Sequence, residues 1–324
     1  MLRPLLATTL LLAASTAQQF EPATPAFVFL QQPPLGLPKM PTADGYVPTV
    51  GMFELGKQLF FDGVLSRDRS VSCASCHPAT TGFAHPDKLP PGIDGKRAAR
   101  HAPALWNRGY APVQRWDGRS PTLEAFVLEP IADANEMGHT VQAAIERLNA
   151  ESPWREQFTT TFGTKATPEA LQRALATFVR GIVAGDAPYD RFLKGDPTAM
   201  TALQRHGQWI FESKGGCWKC HTPPLFTDES FHNTGIGVVA GKAEPARAHV
   251  TNDADDTGKW KTPTLRGLRL TAPFMHDGSL STLSDVVAFY ARGGNANEHL
   301  DTRVQPLDLS AEDQRALVAF LLSL

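Results

Sequence analysis

Neither sign of charge dominates this chain. Its 31 Lys and Arg stand against 33 Asp and Glu, for a formal net charge of −2. Without a basic footprint, nothing points to nucleic acid as a partner, and without a long run of like charge nothing points to a charged, disordered tail. No apolar stretch reaches the ~20 residues needed to cross a bilayer. Cysteine is scarce as well, four residues in 324, too few for the dense disulfide scaffold that staples small secreted domains. What is present is ordinary for a globular protein: 42% of residues are hydrophobic, and the length suggests about two domains.

The first residues read as a secretory signal. Arg3 supplies a positive start, Leu5 to Ala14 a short apolar run, and Ser15-Thr16-Ala17 a small-residue cleavage site. A membrane anchor is the alternative, and the run is too short for one. The expectation is a signal peptide over residues 1–17, export to the periplasm, and no membrane span after cleavage.

All four cysteines fall in two copies of one pattern. Cys73-Ala74-Ser75-Cys76-His77 and Cys217-Trp218-Lys219-Cys220-His221 both read C-x-x-C-H, the attachment signature of c-type haem. Two thioethers on one short helical turn reach the two vinyl groups of a porphyrin, and the next residue turns its imidazole toward the iron. A redox C-x-x-C or half of a zinc site would use similar residues. Two copies that consume every cysteine of an exported chain favour two covalently bound haem c groups, with His77 and His221 as proximal ligands and no cysteine left for a disulfide.

Residues 18–48 hold Pro33-Pro34, Pro38 and Pro41 and read as an irregular N-terminal arm. Helices are expected over Met52–Phe61, Thr140–Asn149, Pro168–Ala184 (with Thr167 as N-cap), Thr198–Ser213, Leu283–Ala291, and from Ser310 to the end with Asp313 closing a capping box. Residues 78–121 are rich in Gly and Pro and read as long loops that wrap a haem. Gly185 to Pro197 reads as the domain boundary. Strand signals are weak throughout. The expected fold is mostly α, with two cytochrome c-like domains, 49–190 and 191–324, each built around one haem c.

Beyond the haem motifs the chain resembles the bacterial di-haem cytochrome c peroxidase and MauG superfamily. The blocks that carry the resemblance are Ser72 to His77, Arg100-His101-Ala102-Pro103-Ala104-Leu105-Trp106-Asn107, Trp116-Asp117-Gly118-Arg119, Pro130 with Glu136-Met137-Gly138, Cys217 to His221, Lys261 to Arg266, and Thr271 to Leu280. The resemblance implies that the His77 haem is the peroxide-reactive one and that Glu136 handles protons as the O–O bond breaks. It implies that Trp116 lies between the two haems and that the His221 haem serves electron transfer. Arg119 would contact a haem propionate or make a structural ion pair. The second haem's far-side ligand is a methionine in one branch and a tyrosine in the other. Tyr290 matches the tyrosine position, and Met275 is the rival.

Three positions depart from the family pattern. Ile93 stands where many members carry a histidine that caps the first iron, although His85 and His101 are close in sequence. Phe126 replaces a distal glutamine. His101 replaces an asparagine of a calcium site whose carbonyls would come from Thr271 and Pro273; calcium prefers oxygen ligands, so calcium is a possible second cofactor only. His139, His206, His232, His249 and His299 carry no motif, and His276 has no assigned chemistry.

Three functions fit. The first is a periplasmic cytochrome-c peroxidase that reduces hydrogen peroxide with electrons from a small cytochrome c or cupredoxin. The second is a MauG-like enzyme that uses peroxide-derived high-valent iron to oxidise residues of a partner protein. The third is a non-catalytic di-haem electron carrier. The sequence is silent on oligomeric state.

Overall fold

The structure is a computed structural model that describes residues 24–41 and 45–324. The expected signal segment, residues 1–17, lies outside the described residues. In chain order the main helices are α1 (Val50–Phe61), α2 (Val141–Ala150), α3 (Ser152–Phe162), α4 (Pro168–Arg180), α5 (Pro188–Leu193), α6 (Ala202–Glu212), α7 (Leu283–Ala291) and α8 (Ala311–Leu321). The strands β1 (Phe231–His232) and β2 (Trp260–Lys261) form a two-residue antiparallel ladder. The fold is mostly helical. No helix among the described residues is long and apolar enough to cross a membrane.

Two helix crossings repeat each other. α1 starts at Thr49, whose hydroxyl accepts from the Met52 amide, and α4 starts at Thr167 with Pro168 in its first turn. They meet at Gly56, where a Cβ would lie 2.0 Å from the Ala174 carbonyl oxygen. Phe60 and Phe178 close the crossing with ring centroids 5.0 Å apart. α6 and α8 meet in the same way. A Cβ on Gly207 would lie 1.9 Å from the Ala316 carbonyl oxygen, and Phe211 and Phe320 stand 5.2 Å apart. Only glycine lets the backbones come this close. Around the first crossing lie Leu59, Leu171, Ala174 and Leu175, around the second Ile210, Leu317 and Phe320, all buried. Each large apolar side chain so buried contributes about 1.5–3 kcal/mol.

Some elements differ from the sequence expectation for identifiable reasons. α4 ends at Arg180 rather than at Ala184, because Gly181 caps it and the Asn107 side chain then takes over the backbone of Ala184, donating to its carbonyl at 3.1 Å and accepting from its amide at 3.0 Å. α6 begins at Ala202, not Thr198, since Thr201 makes the capping box with Gln204. α3, with three consecutive threonines, was not expected; Pro153 in its first turn and buried Phe158 hold it.

The segment Gly185–Pro197 contains α5 and is tied down. Tyr189 packs on Phe226 and Phe320. Asp190 makes a bidentate ion pair with Arg266, 2.8 Å on each side, with both side chains fully or almost fully buried. The described part of the arm crosses both halves. Phe27 packs edge-on to Phe53. The Leu35 carbonyl accepts from the Asp186 amide, the Gly36 carbonyl from Arg266, and the Pro38 carbonyl from the Tyr110 hydroxyl.

Candidate redox site

Each C-x-x-C-H run folds as one tight helical turn. Cys73–Cys76 is α-helical, opened by a Ser72–Ser75 capping box, and Cys217–Lys219 is a 3-10 turn. The His77 amide bonds to the Cys73 carbonyl and the His221 amide to that of Cys217, both at 2.9 Å. Each imidazole follows one rule: the Nδ1 of His77 sits 2.8 Å from the Phe83 carbonyl and that of His221 3.0 Å from the Phe226 carbonyl. A carbonyl can only accept, so Nδ1 carries the proton and Nε2 keeps its lone pair for a metal. Burial lowers both rings to about 4, so both are neutral, as ligands must be. No two of the four cysteines are joined in a disulfide, and burial pushes the Cys73, Cys76 and Cys217 thiols up to about 12.

Between the two turns runs one continuous cavity of about 630 Å³, walled by both histidines and by Cys76, Cys217 and Cys220. Cys73 stands just behind it, against two apolar clusters. A roomy, largely apolar slot with a neutral imidazole at each end and a cysteine pair beside each imidazole fits two porphyrins.

The other predicted site residues all reach this cavity: Glu136, Trp116, Arg119, Tyr290, Met275, Thr271 and Pro273. Glu136 is held by the turn after Pro130, where its amide donates to the Asp133 carbonyl at 3.1 Å and its own carbonyl accepts from the Ile93 amide at 2.9 Å. Its side chain is 22% exposed. Burial raises the carboxyl above its ordinary range, and Asp133 and Glu129 add to that rise. Arg115 opposes it from 3.8 Å, but Arg115 is committed to Glu129 at 2.5 Å. Ile93 is buried beneath the Glu136 loop and is not part of the cavity wall. Phe126 does line the cavity, with the Arg115 guanidinium over its ring.

Trp116 is anchored from both halves of the chain. Its indole N–H donates to the His101 carbonyl at 2.9 Å, and its own carbonyl receives the Lys261 amide at 2.8 Å. The His101 amide in turn donates to the His276 carbonyl. The His276 ring lies flat on Trp260, 3.9 Å apart at 19°, and edge-on to Trp116 at 6.4 Å. The stacking of Trp260 on His276 had no sequence signal of its own; Trp116 and His276 each stood inside a family block. Arg119 pairs with Asp117 at 2.5 Å and is half exposed.

Tyr290 lies on α7 near Thr234, and burial pushes its hydroxyl up to about 12, with Cys220 and Cys217 acting in the same direction from nearby. Met275 sits in left-handed backbone, φ +77°, next to His276. At the expected calcium position, His101 is buried with Nδ1 3.3 Å from the Asp87 carbonyl. An imidazole engaged in this way is a poor substitute for an oxygen ligand, so the donor set does not suit calcium and no role is assigned to it. His85 accepts from the Asp87 amide at 3.0 Å. His232 lies between Asp228 and Asp301, 2.9 Å from each, with Arg303 beside it. Burial disfavours its charge, but the nearby Cys220 and Asp228 outweigh that and raise the ring to about 9. Among the described residues, Cys220, Asp228 and His232 bring their ligand atoms within 4.8 Å of one another, and Cys220 is part of the second C-x-x-C-H run.

A family model described as di-haem cytochrome c peroxidase matches residues 51–198. The methylamine utilization protein MauG of Methylorubrum extorquens is 37% identical over 273 residues, 82% of this chain and 76% of that protein. Cytochrome-c peroxidase IdrP2 of Denitromonas iodatirespirans is 35% identical over 298 residues, 83% of this chain and 80% of that one. A solved MauG-like protein associated with microbial copper homeostasis superposes with a TM-score of 0.79 at 30% identity, covering 90% of this chain and 93% of its own.

Proposed function

The chain belongs to the di-haem cytochrome c peroxidase family, and we propose that it is a periplasmic enzyme that reduces hydrogen peroxide to water with electrons from a small redox protein. It is an oxidoreductase of the peroxidase and MauG type, with haem cofactors. The proposal adds that both haems are attached through Cys73, Cys76, Cys217 and Cys220, that residues 49–190 form the peroxidatic half and 191–324 the electron-transfer half, and that residues 1–17 direct export. The single observation that supports it is a neutral, Nδ1-protonated histidine on each C-x-x-C-H turn, both lining one cavity whose wall also holds a burial-raised carboxyl and an indole.

When bound, the haems supply iron that takes peroxide and stores oxidising equivalents. The chain's own residues do the rest. His77 and His221 offer Nε2 as ligands. Glu136 would take a proton from one peroxide oxygen and hand it to the other as the O–O bond breaks, a task suited to a carboxyl whose affinity for protons is raised. Phe126 and the apolar wall would keep water away from the reacting peroxide. Trp116, an oxidisable ring fixed from both halves, passes charge between the sites. Overall, one peroxide, two protons and two electrons give two waters.

A second reading has its own observation. Tyr290 reaches the cavity at the second site, and a phenolate there stabilises oxidised iron. This favours a MauG-like use of the same oxidising power, with the electrons drawn from residues of a partner protein. The test is to add peroxide to the fully oxidised holoprotein and follow both haems by rapid-mixing spectroscopy, with and without a reduced small cytochrome c. Fast reaction, with two cytochromes oxidised per peroxide, is expected. If neither haem reacts, the protein is an electron carrier and the enzymatic reading fails; fast reaction with no cytochrome oxidised shifts it to the second reading.

A further inference from the structure

The block Lys261–Arg266 has no part in the chemistry above, yet it begins with a buried cation. The Lys261 side chain is 5% exposed. Its ammonium donates to the Thr262 carbonyl at 2.8 Å and faces Glu229 Oε2 at 3.3 Å. An ammonium has three N–H donors, so one is left over. Arg108, also buried, lies 3.4 Å from the other oxygen of the same glutamate, while its Nε and Nη2 serve Gln114 and the Val113 carbonyl. Two buried cations therefore share one carboxylate. The neighbouring carboxylates are spent elsewhere: Asp228 on His232, and Asp301 on His232 and Arg303. Burial drops the Lys261 amine to about 7, the like charge of Arg108 pushes the same way, and Glu229 opposes. Two positive charges held so deep against a single carboxylate are costly and call for a second anion.

The place is informative. Arg108 and Lys261 both line the cavity, together with Cys220 and His221. Lys261 is on β2, next to Trp260, and its amide holds the carbonyl of Trp116. An anion accepted here lies between the second tethering turn and the bridging indole.

We propose that Arg108 and Lys261 form a carboxylate receptor in the cavity wall, and that the carboxylate it takes is a propionate of the porphyrin tethered at Cys217 and Cys220. The inference rests on the haem assignment at His221. A small free carboxylate is the other source of the same chemistry.

The test uses the holoprotein and the variants Lys261→Met, Lys261→Gln and Lys261→Arg. Covalent haem per chain, the midpoint potentials of both haems at pH 6, and their response to added acetate are measured. Two haems per chain are expected throughout. Losing the charge stabilises the oxidised second haem about tenfold, ~59 mV lower in potential for one electron, in Lys261→Met and Lys261→Gln alike. The first haem stays put, Lys261→Arg restores the wild-type value, and acetate changes nothing. An unchanged second potential in charge-neutral variants that keep both haems overturns the receptor. A wild-type potential that moves with acetate, and does not in Lys261→Met, overturns the propionate as occupant and assigns the receptor to a free anion. A wild-type count below two haems overturns the haem assignment itself, which is read separately from the potentials.

Discussion

Glu136→Gln is expected to slow the reaction with peroxide and to stabilise the fold at once. The carboxyl is largely buried, close to Asp133 and Glu129, and of the two cations that oppose them Arg115, at 3.8 Å, is held more tightly by Glu129 and Arg119 by Asp117. Its proton affinity is therefore raised above the ordinary carboxylate value of 4.5. The sign follows. A carboxyl with a raised folded value contributes stability that is fully present below its unfolded value and is lost as pH rises through the folded one. At pH 8 the wild type bears the cost of a buried anion; a neutral glutamine does not. As a proton carrier, however, glutamine is inert. Positioned acid–base groups contribute about 10²–10⁴-fold, or ~2.7–5.4 kcal/mol of barrier. The assay is rapid mixing of the fully oxidised protein with peroxide across pH, paired with denaturant midpoints at acid and alkaline pH. The wild-type rate should fall on the acid side at a value above that of an ordinary glutamate. The variant should be slow and flat, and its stability advantage should grow from pH 5 to pH 8. A variant rate within about threefold of wild type at every pH, against the ~10²-fold minimum expected of a proton carrier, refutes the role of Glu136. A variant less stable than wild type at pH 8 refutes the electrostatic reasoning behind it.

Two further outcomes concern the buried pair Asp190–Arg266 and Tyr290. Asp190→Ala strands the fully buried guanidinium of Arg266 and should cost about 3–5 kcal/mol in a denaturant titration, whereas the double change Asp190→Leu with Arg266→Met should recover most of that loss; a single variant as stable as wild type contradicts the pairing. Tyr290→Phe should alter the absorption and resonance spectra of the His221 haem while leaving the His77 haem as it was, and an unaltered second haem spectrum removes Tyr290 from its coordination.

Much of this was legible in the chain because it is local. A C-x-x-C-H run, a Thr-Pro helix start and a Ser-x-x-Asp cap each act over a few residues. The repeated crossing was also there to be read: Gly56-Lys57-Gln58-Leu59-Phe60 and Gly207-Gln208-Trp209-Ile210-Phe211 place the same glycine, aliphatic and phenylalanine in the same order. What could not be read depends on distant segments meeting. α5 is hidden in a stretch that looks like a linker because its reason for existing, the pairing of Asp190 with Arg266, spans 76 residues. The flat stack of His276 on Trp260 and the shared glutamate of Arg108 and Lys261 likewise have no sequence period, since burial rather than spacing creates them.

The strap made by the arm sets an order of events during biogenesis. Gly36 and Arg266 are joined across 230 positions, and a contact of that span cannot close until the chain as far as Arg266 has been delivered. Both cysteine pairs precede Arg266, so each is presented while the fastening is still undone. Gly36 also presses against Asp190 so closely that a Cβ would lie 1.9 Å from its carboxylate oxygen. The clasp therefore admits its own glycine and little else.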